Sequence, residues 1–251
     1  LREIADLPLD QKVAMMRKPE VRAAIMSEKD IAPDEPGSME NVYGLFKMAA
    51  PALYPLDNPV DYEPDISQCL GAKAGAAGVD PIDYLYDFLL EDGGTRFASL
   101  SAVDLPARMG VLQEMLLHPD TVTGLSDAGA HVTLICDGSM PTTQLAYWTR
   151  DREKGEKIPI EFIVRKQTAL NAQLYGFDDR GTLELGKKAD INVIDMDNLR
   201  VSPPVPHHDL PTGGTRLMQP VSGYINTLCN GTSAREFDQD TGERPGKLVR
   251  S

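Results

Sequence analysis

The sequence predicts an α/β protein whose last third turns to β structure, and three observations carry that reading. Helical periods opened by aspartate or proline recur before residue 180, the clearest being Asp80-Pro81 followed by Tyr84, Leu85, Phe88 and Leu89. An apolar run from Thr121 stops at Gly124, Ser126 and Asp127 and opens into the small-residue turn Ala128-Gly129-Ala130, as a buried strand does at its C-terminal tip. From about Gly181 the texture shifts to a two-residue alternation, with Ile191 and Val193 after a Gly-Lys-Lys turn. The predicted division is residues 1–180, α/β, and residues 181–251, a smaller β-dominated domain.

In chain order, residues 1–30 read as helical. Asp10 is placed to cap a first helix with Val13 and Met16 on one face, and Pro19 to open a second carrying Val21, Ala24 and Ile25. Residues 30–40, with two prolines, a glycine and four acids, read as loop. Residues 41–48 predict a strand interrupted by Gly44, and residues 51–64, with four prolines, irregular chain. Helices are expected over 65–77 and 80–90, a short strand over 96–101, and a helix over 106–117 with Met109, Leu112, Met115 and Leu116 inward. His118-Pro119-Asp120 ends that helix and leads into the strand at Thr121.

Beyond the turn, residues 141–150 predict a helix containing Trp148, the only tryptophan, and residues 151–157 a solvated charged loop. Residues 159–175 predict one helix, with Ile160, Ile163, Val164 and Leu170 inward and Gly176 as its stop. In the last third, 221–229 reads as a strand closed by the turn Asn230-Gly231, 202–220 as a Pro-, His- and Gly-rich loop, and 239–251 as polar irregular chain.

Composition excludes several classes. With 251 residues, 41% of them hydrophobic, the chain can bury a sizeable core and is not of the disordered class. A net charge of -13 argues against a nucleic-acid partner, because phosphate neutralisation needs a basic face. That acidic balance fits a cytoplasmic protein. Cys69, Cys136 and Cys229 lie far apart with no CxxC spacing, so buried free thiols are expected rather than disulfides or a zinc knuckle. No apolar run reaches the roughly 20 residues of a membrane span, so no membrane partner is expected. Leu1 in place of a methionine predicts that the numbered chain starts inside a longer polypeptide.

The residues that carry chemistry centre on Asp127. A carboxylate at a strand tip, before a flexible turn and His131, reads as a metal ligand, a general base or both. From the local pattern alone it reads more readily as a cap that accepts N–H groups of its own turn, since one aspartate is not a site. His131 by itself reads as a turn or core histidine, and Cys136-Asp137-Gly138-Ser139 as a structural turn. His207-His208 is not a ligand pair, since adjacent side chains on extended chain point to opposite faces. Asn230-Gly231-Thr232 fits a glycosylation acceptor only in a secreted protein. No glycine-rich phosphate loop, HExxH or GxSxG occurs.

Three stretches, GLSDAGAH (124–131), QTALNAQLYGF (167–177) and RGTLELGKKADINVID (180–195), resemble the C-terminal part of the amidohydrolase superfamily. GYINTLCNG (223–231), followed by TGERPGKLVR (241–250), resembles its D-aminoacylase branch, the N-acyl-D-amino-acid deacylases. PLDQKVAMMRKPEVRAAI and DPIDYLYDFLLED resemble segments that branch places late in its barrel, so the likeness covers nearly all of the chain.

The resemblance implies a metal-dependent (β/α)8 TIM-type barrel with a small β-sandwich domain, of which this chain is the C-terminal portion. It matches Asp127 to the aspartate that ends the eighth barrel strand, which binds the metal or takes the proton of the metal-bound water. Gly129 and Ala130 then allow substrate to approach the backbone, and His131 is a candidate substrate contact. The implied cofactor is zinc, one or two ions held mostly by residues outside this chain, because none of the four histidines here stands in the family's His-x-His pair. The implied activity is hydrolysis of linear amide C–N bonds, with N-acyl-D-amino acids as substrates. The alternatives are a cyclic-amide hydrolase of the hydantoinase or dihydroorotase type, or a non-catalytic remnant or assembly module. The 251 residues alone are expected to be inactive and to pair with the missing N-terminal part or with another copy.

Overall fold

A computed structural model describes residues 4, 6–28, 42–100, 105–124, 126, 128–129 and 131–249. The fold is mixed α/β, and the chain divides into two compact units, Leu1–Asp57 with Asp61–Arg108, and Asn58–Val60 with Met109–Ser251.

The first unit holds α1 (Leu9–Met16), α2 (Pro19–Ser27), α3 (Val42–Ala49), β1 (Leu53–Pro55), α4 (Leu70–Ala77), α5 (Pro81–Leu89) and β2 (Ala98–Leu100). Its core is Leu53, Leu70 and Phe88, with Tyr84, Leu85 and Ala98 packed against them. Burying each of the three large side chains stabilises the unit by about 1.5–3 kcal/mol. β1 and β2 pair antiparallel, Tyr54 opposite Ser99. α5 starts where the sequence predicts: Asp80 accepts the Ile82 N–H at 2.8 Å and Pro81 fills the first position. α1 and α2 are tied to α5 by Tyr86, whose hydroxyl donates to the Met16 carbonyl at 2.8 Å, and by the Arg22–Asp83 ion pair at 2.8 Å.

Four expectations change in this unit. Asp10 lies in the first turn of α1, with Pro8 in the cap position, so it favours the helix dipole without capping. Residues 42–49 are a helix, not a strand. A short apolar run has no period to separate the two, and Leu45, Lys47, Met48 and Ala49 are strong helix formers. The proline-rich stretch contains β1. The helix expected over 65–77 is two pieces: a 3-10 turn, Ile66–Gln68, capped by Asp65, and α4, whose first turn donates the Ala72 N–H to Cys69 Sγ at 3.3 Å. The loop expected over 30–40 lies outside the described residues.

The second unit takes in most of α6 (Leu105–Leu117), then α7 (Met140–Ala146), α8 (Ile160–Gln167) and α9 (Ala169–Leu174). A four-stranded antiparallel sheet follows, ordered β10 (Gln239–Asp240), β9 (Thr232–Glu236), β8 (Tyr224–Cys229), β3 (Ile191–Ile194). β8 turns into β9 through Asn230 and Gly231, both at positive φ (49° and 81°), the turn the sequence predicts. Two-stranded pairs join β4 (Arg200–Val201) to β7 (Val221–Ser222) and β5 (Val205–His207) to β6 (Arg216–Met218). Among the described residues every sheet is open, so the closed barrel implied by the resemblance is not seen.

Here too the chain departs from the pattern. Thr121–Gly124 joins no ladder among the described residues; the end of α6 and helices α8 and α9 take up its threonine hydroxyls instead. Met115 and Val164 are exposed, not inward. The helix expected over 159–175 breaks at Thr168, whose φ/ψ of −120°/−83° is not helical. Arg152, inside the loop expected to be solvated, is buried: its guanidinium stacks 4.7 Å from the Trp148 ring and donates to Gln113 Oε1 at 2.6 Å. The loop expected over 202–220 contains the β5–β6 hairpin, and the strand expected over 221–229 is cut at Gly223 into β7 and β8. The three thiols are free, as expected, but only half-buried. No helix among the described residues is long and apolar enough to cross a membrane.

Candidate functional site

The segment that carries the sequence-predicted site leaves α6 at His118, turns through Pro119 and Asp120 with the Thr121 N–H donating to the His118 carbonyl at 3.3 Å, and continues as irregular chain to Gly124. Thr121 and Thr123 both turn to the α8–α9 face, where Lys166 Nζ donates to Thr121 Oγ1 at 2.7 Å and Asn171 Nδ2 to Thr123 Oγ1 at 3.3 Å. Thr123 Oγ1 in turn donates to the Lys166 carbonyl at 3.3 Å.

The turn follows. Asp127, with Leu125 and Ala130, lies outside the described residues. Gly129 has φ +97°, and a side chain there would point into open space. His131 is also left-handed, φ +45°, and its carbonyl accepts the N–H groups of Leu134 at 2.7 Å and Ile135 at 3.0 Å, which closes the turn. Both residues are exposed. A non-glycine residue in that backbone region is strained, and such strain is common where a turn is held for function.

Gly129 lines a cavity of about 540 Å³ whose other walls come from Cys136 to Thr142 and from the strands around β8; His131 is not in its wall. The polar groups of that wall are largely satisfied from within. Ser139 Oγ donates to Gln219 Oε1, the Thr142 and Tyr224 hydroxyls are 2.8 Å apart, and the Asp238 carboxylate accepts the Gly223 and Tyr224 N–H groups at 3.0 and 2.8 Å. Arg216 grips Asp209 with two hydrogen bonds, at 2.7 and 2.6 Å, and this holds the Asp209 carboxyl below its usual range. Burial, and then the charge of Asp137, push the Cys136 thiol up, which disfavours the thiolate. That agrees with the structural-turn reading of Cys136–Ser139, whose last three residues form a 3-10 turn.

The described residues do not by themselves fit the implied zinc ions. Among them no three His, Cys, Asp or Glu side chains converge, and His118, His131, His207 and His208 are all exposed. His208 instead meets Thr215 Oγ1 at 2.9 Å, in keeping with a loop histidine.

Sequence reasoning missed Lys166, which is 1% exposed. A signal was present: it stands three residues after Ile163 and so shares the buried face of α8, where a charge is out of place. It missed Tyr224 and Asp238 as well, since neither stands in a recognisable motif.

Residues 70–233 match the amidohydrolase family. An uncharacterized protein of Mycobacterium tuberculosis (strain ATCC 25618 / H37Rv) is 30% identical over 136 residues, which cover 53% of this chain and 22% of that protein. A 5-methylthioadenosine/S-adenosylhomocysteine deaminase of Haloarcula marismortui is 28% identical over 186 residues, 69% of this chain and 39% of the deaminase. The chain thus spans less than half the length of these relatives. No solved structure matches it significantly. The family match runs from α4 into β9 and takes in the whole turn at 126–131, and on that ground the chain belongs to the amidohydrolase family.

Proposed function

We propose that this chain is the C-terminal portion of a hydrolase of linear amide C–N bonds, with N-acyl-D-amino acids as its substrate class. The observation that carries the reading is family membership across 70–233, a span that includes the Ser126–His131 turn. The likeness of 223–231 and 241–250 to D-aminoacylases supports the finer choice of substrate. The cavity beside Gly129, about 540 Å³, lies in the range of small-molecule sites.

In this reading Asp127 accepts a proton from the attacking water and delivers it to the leaving amine, a role that contributes about 10²–10⁴-fold in rate. Gly129, with no side chain and open space in front of it, leaves room for substrate against the backbone. His131 contacts the substrate. Zinc, one or two ions, belongs to the same proposal, its ligands supplied mostly by residues outside this chain. So do a cytoplasmic setting and a covering partner, either the rest of the polypeptide or a second copy. Leu183 and Leu185, 82% and 106% exposed, support such a covering.

A second reading, hydrolytic removal of an amino group from a purine-type ring, is favoured by the deaminase relative. One experiment separates them. The full-length protein is offered N-acetyl-D- and N-acetyl-L-amino acids, hydantoin and 5-methylthioadenosine, and release of amine or ammonia is followed. Faster release from the D-series supports the proposal. Hydantoin as the only substrate turned over points to the cyclic-amide class, and ammonia from 5-methylthioadenosine alone to the second reading. No turnover on the whole panel points to a non-catalytic remnant or assembly module.

A further inference from the structure

We propose that Lys166 is a positioning residue for the site turn: its ammonium holds Thr121 and thereby sets the register of the chain that enters Ser126–His131. This deepens the hydrolase reading and rests on it.

Lys166 sits on α8 beside the fully buried Ile163. No Asp or Glu among the described residues pairs with it. Its three donors go to the Leu116 carbonyl, the His118 carbonyl at 3.2 Å and Thr121 Oγ1 at 2.7 Å, and the Phe162 ring lies 5.6 Å away. The Leu116 carbonyl is among those that the end of α6 leaves without an intrahelical partner, at the negative end of its dipole, and the His118 carbonyl, just past that end, also accepts the Thr121 N–H at 3.3 Å. Together with the Thr121 hydroxyl they use every donor of an ammonium.

An apolar side chain would pack here without the desolvation penalty of a buried charge. The ammonium therefore marks a place where the chain needs the hydrogen bonds. Two of the three cap α6. The third reaches past the helix end to Thr121, whose hydroxyl in turn donates to the Met115 carbonyl at 2.6 Å with the His118 carbonyl 3.0 Å away, and Thr123 is bonded two residues further on, to the Lys166 carbonyl and to Asn171. A slip of one residue would put Val122 against the ammonium and leave a buried donor with no acceptor. Lys166 thus joins the end of α6 in fixing which residues of 121–124 face α8, and so the point from which the turn departs.

The test uses the full-length protein and the N-acetyl-D-amino acid it turns over fastest, with variants Lys166→Met, Thr121→Val, Thr121→Ser and the Lys166→Met/Thr121→Val pair. Thr121→Val removes the hydroxyl with its bonds to Lys166 and to the Met115 carbonyl but keeps the two carbonyl acceptors of the ammonium, and the double variant isolates the share that runs through Lys166. Misplacement of a site by a fraction of an ångström predicts a loss in kcat of about tenfold in Thr121→Val. KM should stay within about twofold, since ground-state binding is spared. Thr121→Ser should restore kcat, and the double variant should be no slower than the slower single one. Hydrogen exchange at the Val122–Gly124 amides should quicken in Thr121→Val and not in Thr121→Ser. Unchanged kcat and unchanged exchange in Thr121→Val, with Lys166→Met lowering only the melting temperature, would overturn the proposal and reduce Lys166 to a helix cap. A wild-type protein inactive on every substrate, with quickened exchange in Thr121→Val, would instead sink the hydrolase reading while the clamp stands.

Discussion

Thr142 and Tyr224 meet through their hydroxyl groups, 2.8 Å apart, and so fasten β8 to α7 at the wall of the cavity that Gly129 lines. Thr142 is 4% exposed, so its hydroxyl has no ready access to water. Tyr224→Phe should therefore cost about 1–3 kcal/mol, the penalty of a buried polar group left without a partner. Adding Thr142→Val removes the orphaned group and should recover part of that loss. Urea unfolding of the two variants, read at the midpoint with unchanged slope, measures both.

Gly223 and Gly129 both have left-handed backbone, with φ of +106° and +97°, but their surroundings differ. A Cβ on Gly223 would lie 2.7 Å from Leu199 Cα and 2.9 Å from Leu199 N, and backbone atoms cannot swing aside. A Cβ on Gly129 meets nothing. Gly129→Ala should cost only backbone strain, about 1–3 kcal/mol, and Gly223→Ala should cost more than that. Thermal denaturation of the two variants side by side gives the order.

Acid should loosen the C-terminal unit. The Asp240 carboxyl is held down to about 2, first by its hydrogen bonds to Arg244 and then by the Gly242 N–H. Asp209 is lowered by Arg216, and Asp195 by Asn198. Unfolded aspartates titrate near 3.9, so below that value the unfolded chain binds more protons than the folded one. The stability from these pairs is present above about pH 4 and is lost as pH falls toward 2. Melting temperature measured from pH 6 to pH 2 should be flat at first and then fall, and Asp240→Asn should reduce the fall.

What was legible in the sequence follows from how local the signals are. Asp80-Pro81 is a cap that depends on nothing beyond its own turn, and α5 begins there. Asn230-Gly231 needs only positive φ at two adjacent residues, and the β8–β9 turn sits there. Residues 42–49 carry no period and no cap, and their helix could not be told from a strand. Thr121–Gly124 has the composition of a strand, but a strand needs a neighbour; here the polar threonines find α8 and α9. Trp148 and Arg152 are four residues apart, yet their stacking needs the chain to leave α7 by a π turn, Tyr147–Asp151, which no local rule announces. Of the candidate site, the left-handed Gly129 and the turn at His131 were implicit in the small residues around them. Lys166, 45 residues from the Thr121 it holds, became visible only in three dimensions.

The central claim is that the Ser126–His131 turn serves hydrolysis of an amide through Asp127. The most direct measurement is steady-state release of free amino acid from N-acetyl-D-amino acids by the full-length protein, wild type against Asp127→Asn, with melting temperatures taken on the same samples. The account predicts a loss in kcat of at least about 10²-fold, as for removal of a general base, with the melting temperature nearly unchanged. An Asp127→Asn protein that keeps the wild-type rate would contradict it.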